Sequence, residues 1–133
     1  MRILICGLPG SGKTTLAHAL STLIDCIWYN ADAVRSKYND WDFSEEGRLR
    51  QATRMKKLAD DSNGHIVCDF VAPTKEIRDI FDADYVVWID TIKLGRFEDT
   101  NKVFEPPEHY DIRVTEQNAA RWAAIIAKEI NEA

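Results

Sequence analysis

The chain has 133 residues, 45% of them hydrophobic and 29% charged, with a formal net charge of −5. A chain of this size can bury one core without disulfides or metals, so we expect a single domain over residues 1–133. The negative net charge excludes a general nucleic-acid-binding surface, and a polyanionic ligand would therefore need a local basic pocket. No stretch is apolar enough to span a bilayer, and Cys6, Cys26 and Cys68 lack disulfide or metal-ligand spacing. These features predict a cytoplasmic protein with reduced thiols.

Strand-like and helix-like segments alternate along the chain. A continuous apolar run over residues 2–6 is typical of a strand buried on both faces of a sheet. Further strands are expected at residues 26–29, 65–71, 85–89 and 112–114, and helices at 13–23, 31–37, after Ser44 as N-cap, at 74–81 and after Thr115 as N-cap. The alternation predicts an α/β fold, with a parallel sheet of about five strands and helices on both faces.

A phosphate-binding motif, G-x-x-x-x-G-K-T, lies between the first predicted strand and the first predicted helix. Its glycines let backbone N–H groups converge on phosphate oxygens, and the helix N-terminus adds the positive end of its dipole. Lys13 offers a charge to the β- and γ-phosphates, and Thr14 offers a hydroxyl to Mg²⁺. We therefore predict a P-loop NTPase-type domain that binds ATP and Mg²⁺, against the alternative of a glycine-rich turn without a ligand. The predicted nucleotide-binding residues are Gly7, Leu8, Pro9, Gly10, Ser11, Gly12, Lys13, Thr14 and Thr15.

Asp32 and Arg35 follow the second predicted strand and lie three residues apart, so on a helical turn they face the same way. The carboxylate could take a proton from an acceptor hydroxyl, and the arginine could hold an anionic group of the same acceptor. With Lys13 they form the predicted catalytic set. The alternative is an ordinary surface ion pair at a helix start.

Arg48 and Gln51 lie one turn apart on the next predicted helix and could both point into a cleft. For Arg48, and more so for Lys56 and Lys57, the alternative is a solvated basic face. Phe43 is either an aromatic platform for a base or a hydrophobic staple at the helix start, and its spacing favours the staple.

Asp69 ends a predicted strand next to the phosphate-loop strand, where it could hold a Mg²⁺-bound water or act only as a turn carboxylate. The polar segment 93–110 has no clear period and predicts a loop over a site. Its cations Lys93, Arg96 and Lys102 could close on a transferring phosphoryl group or form a solvated basic loop. Arg96 is favoured because its planar fork suits phosphate.

Taken in order, these motifs resemble the adenylylsulfate (APS) kinase family. That family shows D-G-D-N-[VI]-R and G-F-S-x-x-D-R after its phosphate loop, where this chain has residues 30–35 and the stretch from Phe43 to Arg48. Residues 66–73, with Arg78 after them, resemble its I-x-S-F-I-S-P-Y-R stretch, and residues 104–107 resemble its Y-E-x-P.

The resemblance implies transfer of the ATP γ-phosphoryl group to the 3′-hydroxyl of adenylylsulfate, as in sulfate assimilation. It implies that Asp32 is the base and Mg²⁺-side carboxylate, that Arg35 and Arg48 bind adenylylsulfate, and that Phe43 stacks on its adenine. Gln51 stands where the family tends to have Asn. The implied partners are ATP and a small nucleotide-like acceptor, without a membrane or an extended nucleic acid, and a homodimer is left open.

Four departures from the family pattern bear on the acceptor. Asn30 replaces the first Asp of the pattern, Gly47 replaces the Asp before the arginine, and Asp69 stands where the family has Ser. The region after Ile89 is also short, with Phe97 as a remnant of the lid. Two alternatives therefore stay open: a P-loop kinase for another small acceptor (a nucleotide, a sugar acid or a 5′-hydroxyl polynucleotide end), and a nucleotide-binding module that transfers nothing.

Overall fold

The computed structural model describes residues 1–95 and 98–132. Five strands form one sheet in which every pair is parallel, in the order β2-β3-β1-β4-β5. The strands are β1 (Arg2–Gly7), β2 (Cys26–Asn30), β3 (His65–Asp69), β4 (Tyr85–Ile89) and β5 (Ile112–Val114). Since β1 is central, the phosphate loop that follows it lies at the middle of the carboxyl edge of the sheet, where ligands of such sheets bind.

The described helices are α1 (Lys13–Ser21), α2 (Ala31–Tyr38), α3 (Glu45–Asp60), α4 (Lys75–Phe81), α5 (Glu98–Val103) and α6 (Ala119–Glu132). Four of them begin at a side-chain cap. The side chains of Asn30, Ser44, Thr74 and Asn118 accept hydrogen bonds from backbone N–H groups three residues further on, which satisfies donors that the helix itself leaves unpaired.

Two apolar layers cover the two faces of the sheet, because alternate residues of each strand point to opposite sides. Ile3 and Ile5 of β1 pack in one layer with residues of α1 and α6. Leu4 and Cys6 pack in the other with residues of α3 and α4. The predicted α/β fold, with about five parallel strands and helices on both faces, is confirmed.

The C-terminal third differs from the prediction in two places. The last helix begins at Ala119 and not after Thr115, because the Asn118 side chain, not Thr115, accepts from the backbone N–H of Arg121 at 3.3 Å. Segment 93–110 is not loop throughout, since it contains α5. This helix is only six residues long, too short to give the repeating apolar pattern from which a helix is recognised in a sequence.

Within the described ranges, no helix is long and apolar enough to cross a membrane. The three cysteines are free thiols; Cys6 and Cys68 are buried and Cys26 is partly exposed. Burial raises the pKa of both the Cys6 and the Cys68 thiol to about 12, so neither forms a reactive thiolate near neutral pH.

Candidate active site

The phosphate loop is built around glycines with left-handed backbone torsions. Gly10 and Gly12 have φ of 87° and 106°, a region that side chains other than glycine rarely adopt. Gly12 is the N-cap of α1 and supplies no side-chain cap, so the first-turn N–H groups keep their capacity for an anion. Lys13 Nζ donates to the carbonyl of Leu8 at 3.0 Å, which lays the ammonium group along the loop.

Asp69 lies at the end of β3, buried beside the start of α1. Its carboxylate accepts from Trp28 Nε1 at 2.6 Å, from Asn30 Nδ2 at 3.1 Å and from Thr14 Oγ1 at 3.4 Å. Burial raises the pKa of Asp69, and the hydrogen bonds from Trp28 and Asn30 oppose that rise. A buried carboxylate with this many donors is held in one orientation.

The oxygen donors at this point fit Mg²⁺. Thr14 Oγ1 and the Asp69 carboxylate lie side by side, and hydroxyl and carboxylate oxygens are ligands that this hard cation prefers. Over residues 1–95 and 98–132, no group of three or more His, Cys, Asp or Glu side chains is arranged for a metal ion. A site with one carboxylate suits Mg²⁺ held mainly by phosphate oxygens and water.

Arg35 binds the backbone of the loop between α2 and α3. Arg35 is 5% exposed, and its Nη1 donates to the carbonyls of Asp40 at 3.0 Å and Asp42 at 3.1 Å. It also lies over the ring of Phe43, 4.3 Å from the centroid, a cation–π contact. Arg35 is therefore not half of a surface ion pair; it supports the loop that carries Phe43.

Phe43 is not a hydrophobic staple, as its spacing had suggested. A staple would pack against the fourth residue of α3, which is Arg48 and not an apolar side chain. The ring of Phe43 is 51% exposed and packs on Arg35 instead. An aromatic face backed by a buried cation and open on the other side is suited to stacking on a ligand.

Two arginines of α3 bind the side-chain carboxylates of the same loop. Arg50 Nε and Arg54 Nη2 donate to Asp40 Oδ2 at 2.8 Å and 2.6 Å, and Arg50 Nη2 reaches Asp42 Oδ2 at 3.1 Å. The hydrogen bonds from Arg50 and then Arg54 hold the pKa of Asp40 well below its usual range. In contrast, Lys56 and Lys57 form only ion pairs with the residue four positions on, near the surface, as expected for a solvated face.

Gly47 has a close-packing role that explains one departure from the family pattern. A Cβ at this position would lie 2.1 Å from the carbonyl oxygen of Asp42 and 2.6 Å from its Cγ. The loop backbone therefore occupies the space that a side chain at position 47 would need. The aspartate of the family pattern does not fit here.

Arg48 and Gln51 both face the cleft, as predicted. Arg48 Nη2 donates to Thr100 Oγ1 of α5 at 3.2 Å, which connects α3 to the segment after β4. Gln51 is buried and its Nε2 donates to the carbonyl of Ala31 at 3.0 Å, so it ties α3 to the first turn of α2, next to Asp32.

The segment after β4 crosses the phosphate loop. A Cβ on Gly95 would lie 3.0 Å from the carbonyl of Pro9, and Asn101 closes the turn by hydrogen bonds to both backbone groups of Gly95. The lid cations Lys93 and Lys102 are mostly exposed and pair with Asp90 and Glu98. Their positions agree with the solvated-loop interpretation. Arg96 and Phe97 lie outside the described residues.

Arg78 fastens the end of that segment to the loop after β3. Its Nη1 donates to the carbonyl of Ala72 at 2.7 Å and its Nη2 to the carbonyl of Glu105 at 2.9 Å. The backbone N–H of Glu105 donates to the carbonyl of Pro73 at 2.6 Å. Residues 66–73 and residues 104–107, the last two stretches that resemble the family pattern, are therefore adjacent. Ala72 and Pro73 also line the larger of the two cavities described next.

Two cavities meet at the phosphate loop. The larger measures about 550 Å³ and the smaller about 330 Å³, and Gly10, Gly12 and Thr15 line both. The charged residues that line the larger cavity are Lys13, Arg35 and Arg48 against Asp32 and Asp69. The larger cavity is thus the local basic pocket that an acidic protein needs for an anionic ligand.

Most of the predicted site residues line the larger cavity: Pro9, Gly10, Gly12, Lys13, Thr14, Thr15, Asp32, Arg35, Phe43, Arg48, Gln51 and Asp69. Ser11 lines the smaller cavity instead. Gly7, the last residue of β1, and Leu8, which follows it, are buried.

The sequence reasoning missed Thr100 and treated Asn30 only as a departure. Nothing in the sequence marked Thr100. Asn30 had a signal, because Asn directly before a helix is a common N-cap.

The parallel sheet, with a phosphate loop after its central strand, defines a P-loop nucleotide-binding protein of the α/β class. A family model, adenylylsulphate kinase, matches residues 1–87. The chain belongs to the adenylylsulphate kinase family.

Known proteins agree with this placement. A probable adenylyl-sulfate kinase from Aeropyrum pernix is 37% identical over 86 residues, a match that covers 56% of this chain and 45% of the relative. The chain thus spans about half the length of that curated relative.

Solved structures show the same fold. An APS kinase from Mycobacterium tuberculosis, in complex with AMPPNP and APS, is 20% identical, with a TM-score of 0.81 over 99% of this chain and 97% of that one. A gluconokinase from Sinorhizobium meliloti is 16% identical, with a TM-score of 0.71 over 98% and 95% of the two chains. A shikimate kinase from Acinetobacter baumannii, in complex with shikimate, is 17% identical, with a TM-score of 0.69 over 98% and 93%.

Proposed function

We propose that this protein is an ATP-dependent kinase that transfers the γ-phosphoryl group to the 3′-hydroxyl of adenylylsulfate. The observation that carries the proposal is the single phosphate loop shared by two cavities, the larger of which is cationic and lined by Asp32. Phosphoryl transfer needs a donor and an acceptor on opposite sides of one phosphate position. Family membership over residues 1–87 supports adenylylsulfate as the acceptor.

The smaller cavity is the proposed site of the ATP base. Its lining carries one ionisable side chain, Glu116, which suits a neutral heterocycle better than a phosphate.

The chemistry follows from the positions of Lys13, Asp32 and Arg48. Asp32, in the first turn of α2, receives the proton of the acceptor hydroxyl as that oxygen forms a bond to the γ-phosphorus, and the bond to the β-phosphate oxygen breaks to release ADP. Lys13 and the loop amides stabilise the charge on the transferring group. Mg²⁺, when bound by Thr14 and Asp69, supplies further charge neutralisation on the phosphates.

The acceptor is held by charge and by stacking. Arg48 faces the larger cavity and offers a cation to the sulfate or phosphate of the acceptor. Phe43 offers its open face to the adenine. Arg35 contributes positive charge and holds Phe43 from behind, since its Nη1 is already bonded to the loop carbonyls.

A coupled assay of ADP release tests the proposal, with ATP, Mg²⁺ and one acceptor at a time. The panel contains adenylylsulfate, AMP, gluconate, shikimate and a 5′-hydroxyl oligonucleotide. We expect fast turnover with adenylylsulfate only. A response to another member would reassign the acceptor, and no response from any, with ATP still raising the melting temperature, would indicate a nucleotide-binding module that transfers nothing.

Gly47→Ala is expected to weaken acceptor binding through the loop that carries Phe43. The added methyl must displace the Asp42 backbone, at a cost of about 1–3 kcal/mol of stability. We expect a lower melting temperature together with a raised KM for adenylylsulfate and an unchanged KM for ATP.

The matched control for Gly47→Ala is Gly64→Ala. Gly64 has a φ of 81° and no atom near its Cβ position, so this substitution strains the backbone far from the site. It should lower the melting temperature and leave both KM values unchanged. Equal effects of the two variants on the acceptor KM would contradict the role given to the loop.

We also propose that the protein works in the cytosol. Cys6, Cys26 and Cys68 are free thiols, which are typical of a reducing compartment.

A further inference from the structure

Asn30 and Asp69 are direct partners across the β2–β3 strand pair. Asn30 Nδ2 lies 3.1 Å from Asp69 Oδ1 and 3.3 Å from Oδ2. Both side chains also reach the hydroxyl of Thr14, at 3.2 Å from Asn30 Nδ2 and 3.4 Å from Asp69 Oδ1. Positions 30 and 69 therefore offer two places from which a carboxylate could face the same point of the phosphate loop.

The orientation of the Asn30 amide is set by the helix that follows it. Its Oδ1 accepts from the backbone N–H of Ala33 at 3.0 Å, as the N-cap of α2. The NH₂ group must then point at Asp69 and Thr14. Trp28 lies on β2, as Asn30 does, and its Nε1 donates to Asp69 Oδ2 at 2.6 Å. The side-chain donors of Thr14, Trp28 and Asn30 are thus all directed at the single carboxylate of Asp69.

We propose that Asn30 and Trp28 are positioning residues, which hold the Asp69 carboxylate beside the Thr14 hydroxyl as the carboxylate on the metal side of the phosphate loop. The proposal rests on the proposed function, because it needs a Mg²⁺–nucleotide at the phosphate loop. Asp32 then acts as the base for the acceptor hydroxyl and not as the carboxylate beside the metal ion.

The exchange Asn30→Asp/Asp69→Asn should rebuild the site, since every hydrogen bond has a counterpart, and donor and acceptor are reversed only in those among positions 14, 30 and 69. Aspartate at position 30 still accepts from the N–H of Ala33, as aspartate is a good N-cap. Its other oxygen can accept from the new amide at position 69 and from the Thr14 hydroxyl. The amide oxygen at position 69 can accept from Trp28 Nε1.

The test measures ADP binding by calorimetry with and without Mg²⁺ in four proteins: the unaltered chain, each single variant and the exchange. We expect Asp69→Asn to lose about tenfold or more of the Mg²⁺-dependent gain in ADP affinity. Asn30→Asp brings two carboxylates together and should lower the melting temperature of the metal-free protein. The exchange should show a larger Mg²⁺-dependent gain in ADP affinity than Asp69→Asn and a higher melting temperature than Asn30→Asp.

The proposal is overturned if Asp69→Asn keeps the full Mg²⁺-dependent gain, or if the exchange binds no better than Asp69→Asn. Trp28→Phe gives an independent measurement that does not alter the carboxylate. Loss of its N–H should reduce the Mg²⁺-dependent gain by about tenfold and leave metal-free ADP affinity unchanged. The control is Trp88→Phe, on β4 next to Tyr110 and Arg113, for which no change in the gain is expected. An equal effect of the two tryptophan variants would contradict the positioning role.

This experiment separates the inference from the proposed acceptor, because ADP binding does not involve the acceptor. If the exchange behaves as expected but adenylylsulfate is not phosphorylated, the acceptor assignment fails and the inference stands. If adenylylsulfate is phosphorylated and the exchange does not recover Mg²⁺-dependent binding, the inference fails alone. A chain without any Mg²⁺-dependent nucleotide binding overturns both.

Discussion

Lys13→Ala is expected to lower kcat on the order of 10²–10³-fold with adenylylsulfate as acceptor. Removing one positioned charge from a transferring phosphoryl group has costs of this size. The ammonium group lies along the phosphate loop, within hydrogen-bond reach of the Leu8 carbonyl, and faces the larger cavity. Single-turnover kinetics at saturating ATP measure the loss.

The control for this variant is Lys57→Ala. Lys57 is 77% exposed and pairs only loosely with Asp61 on α3, so its removal should leave kcat unchanged. If Lys13→Ala retained the full kcat and only raised the KM for ATP, the lysine would act on ground-state binding and not on the transfer step.

Asp32→Asn is expected to lower turnover by about 10²–10⁴-fold, the range in which a positioned general base contributes. Its amide keeps the shape of the side chain but cannot take the acceptor proton. Since Asp32 lies in the first turn of α2 and the donor cradle lies at α1, ATP affinity should stay nearly unchanged. Steady-state kinetics with calorimetric ATP binding measure the two effects separately.

The control for the second variant is Asp61→Asn, an exposed carboxylate at the end of α3. It should have no effect on turnover. Full activity of Asp32→Asn would show that another group takes the proton and would remove Asp32 from the mechanism.

The features that the sequence predicted are those encoded by neighbouring residues. The phosphate loop, the buried strand before it and the helix after it are local, and the structure has the strand, the glycine-built turn and the helix in that order. The sequence also predicted that Arg48 and Gln51 could face one cleft, because one helical turn separates them. The cap at Ser44 was predicted from residue type and position, and the structure confirms it.

The features that the sequence did not predict depend on contacts between distant residues. The Asn30–Asp69 pair joins positions 39 apart through the register of β2 and β3, and no local pattern gives that register. Arg35 was expected to bind an acceptor anion; its two carbonyl partners in the loop after α2 were not predicted, because they depend on the path of that loop. Thr100 reaches Arg48 across 52 positions from a helix too short to recognise.

A crystal structure with a non-hydrolysable ATP analogue, Mg²⁺ and adenylylsulfate tests the central claim most directly. We expect the γ-phosphate at the first-turn N–H groups of α1 and Lys13, with the acceptor in the larger cavity. Its 3′-hydroxyl should lie about 2.6–3.2 Å from the Asp32 carboxylate. A structure with the triphosphate bound elsewhere, or with adenylylsulfate outside the cavity between Phe43 and Arg48, would contradict the account.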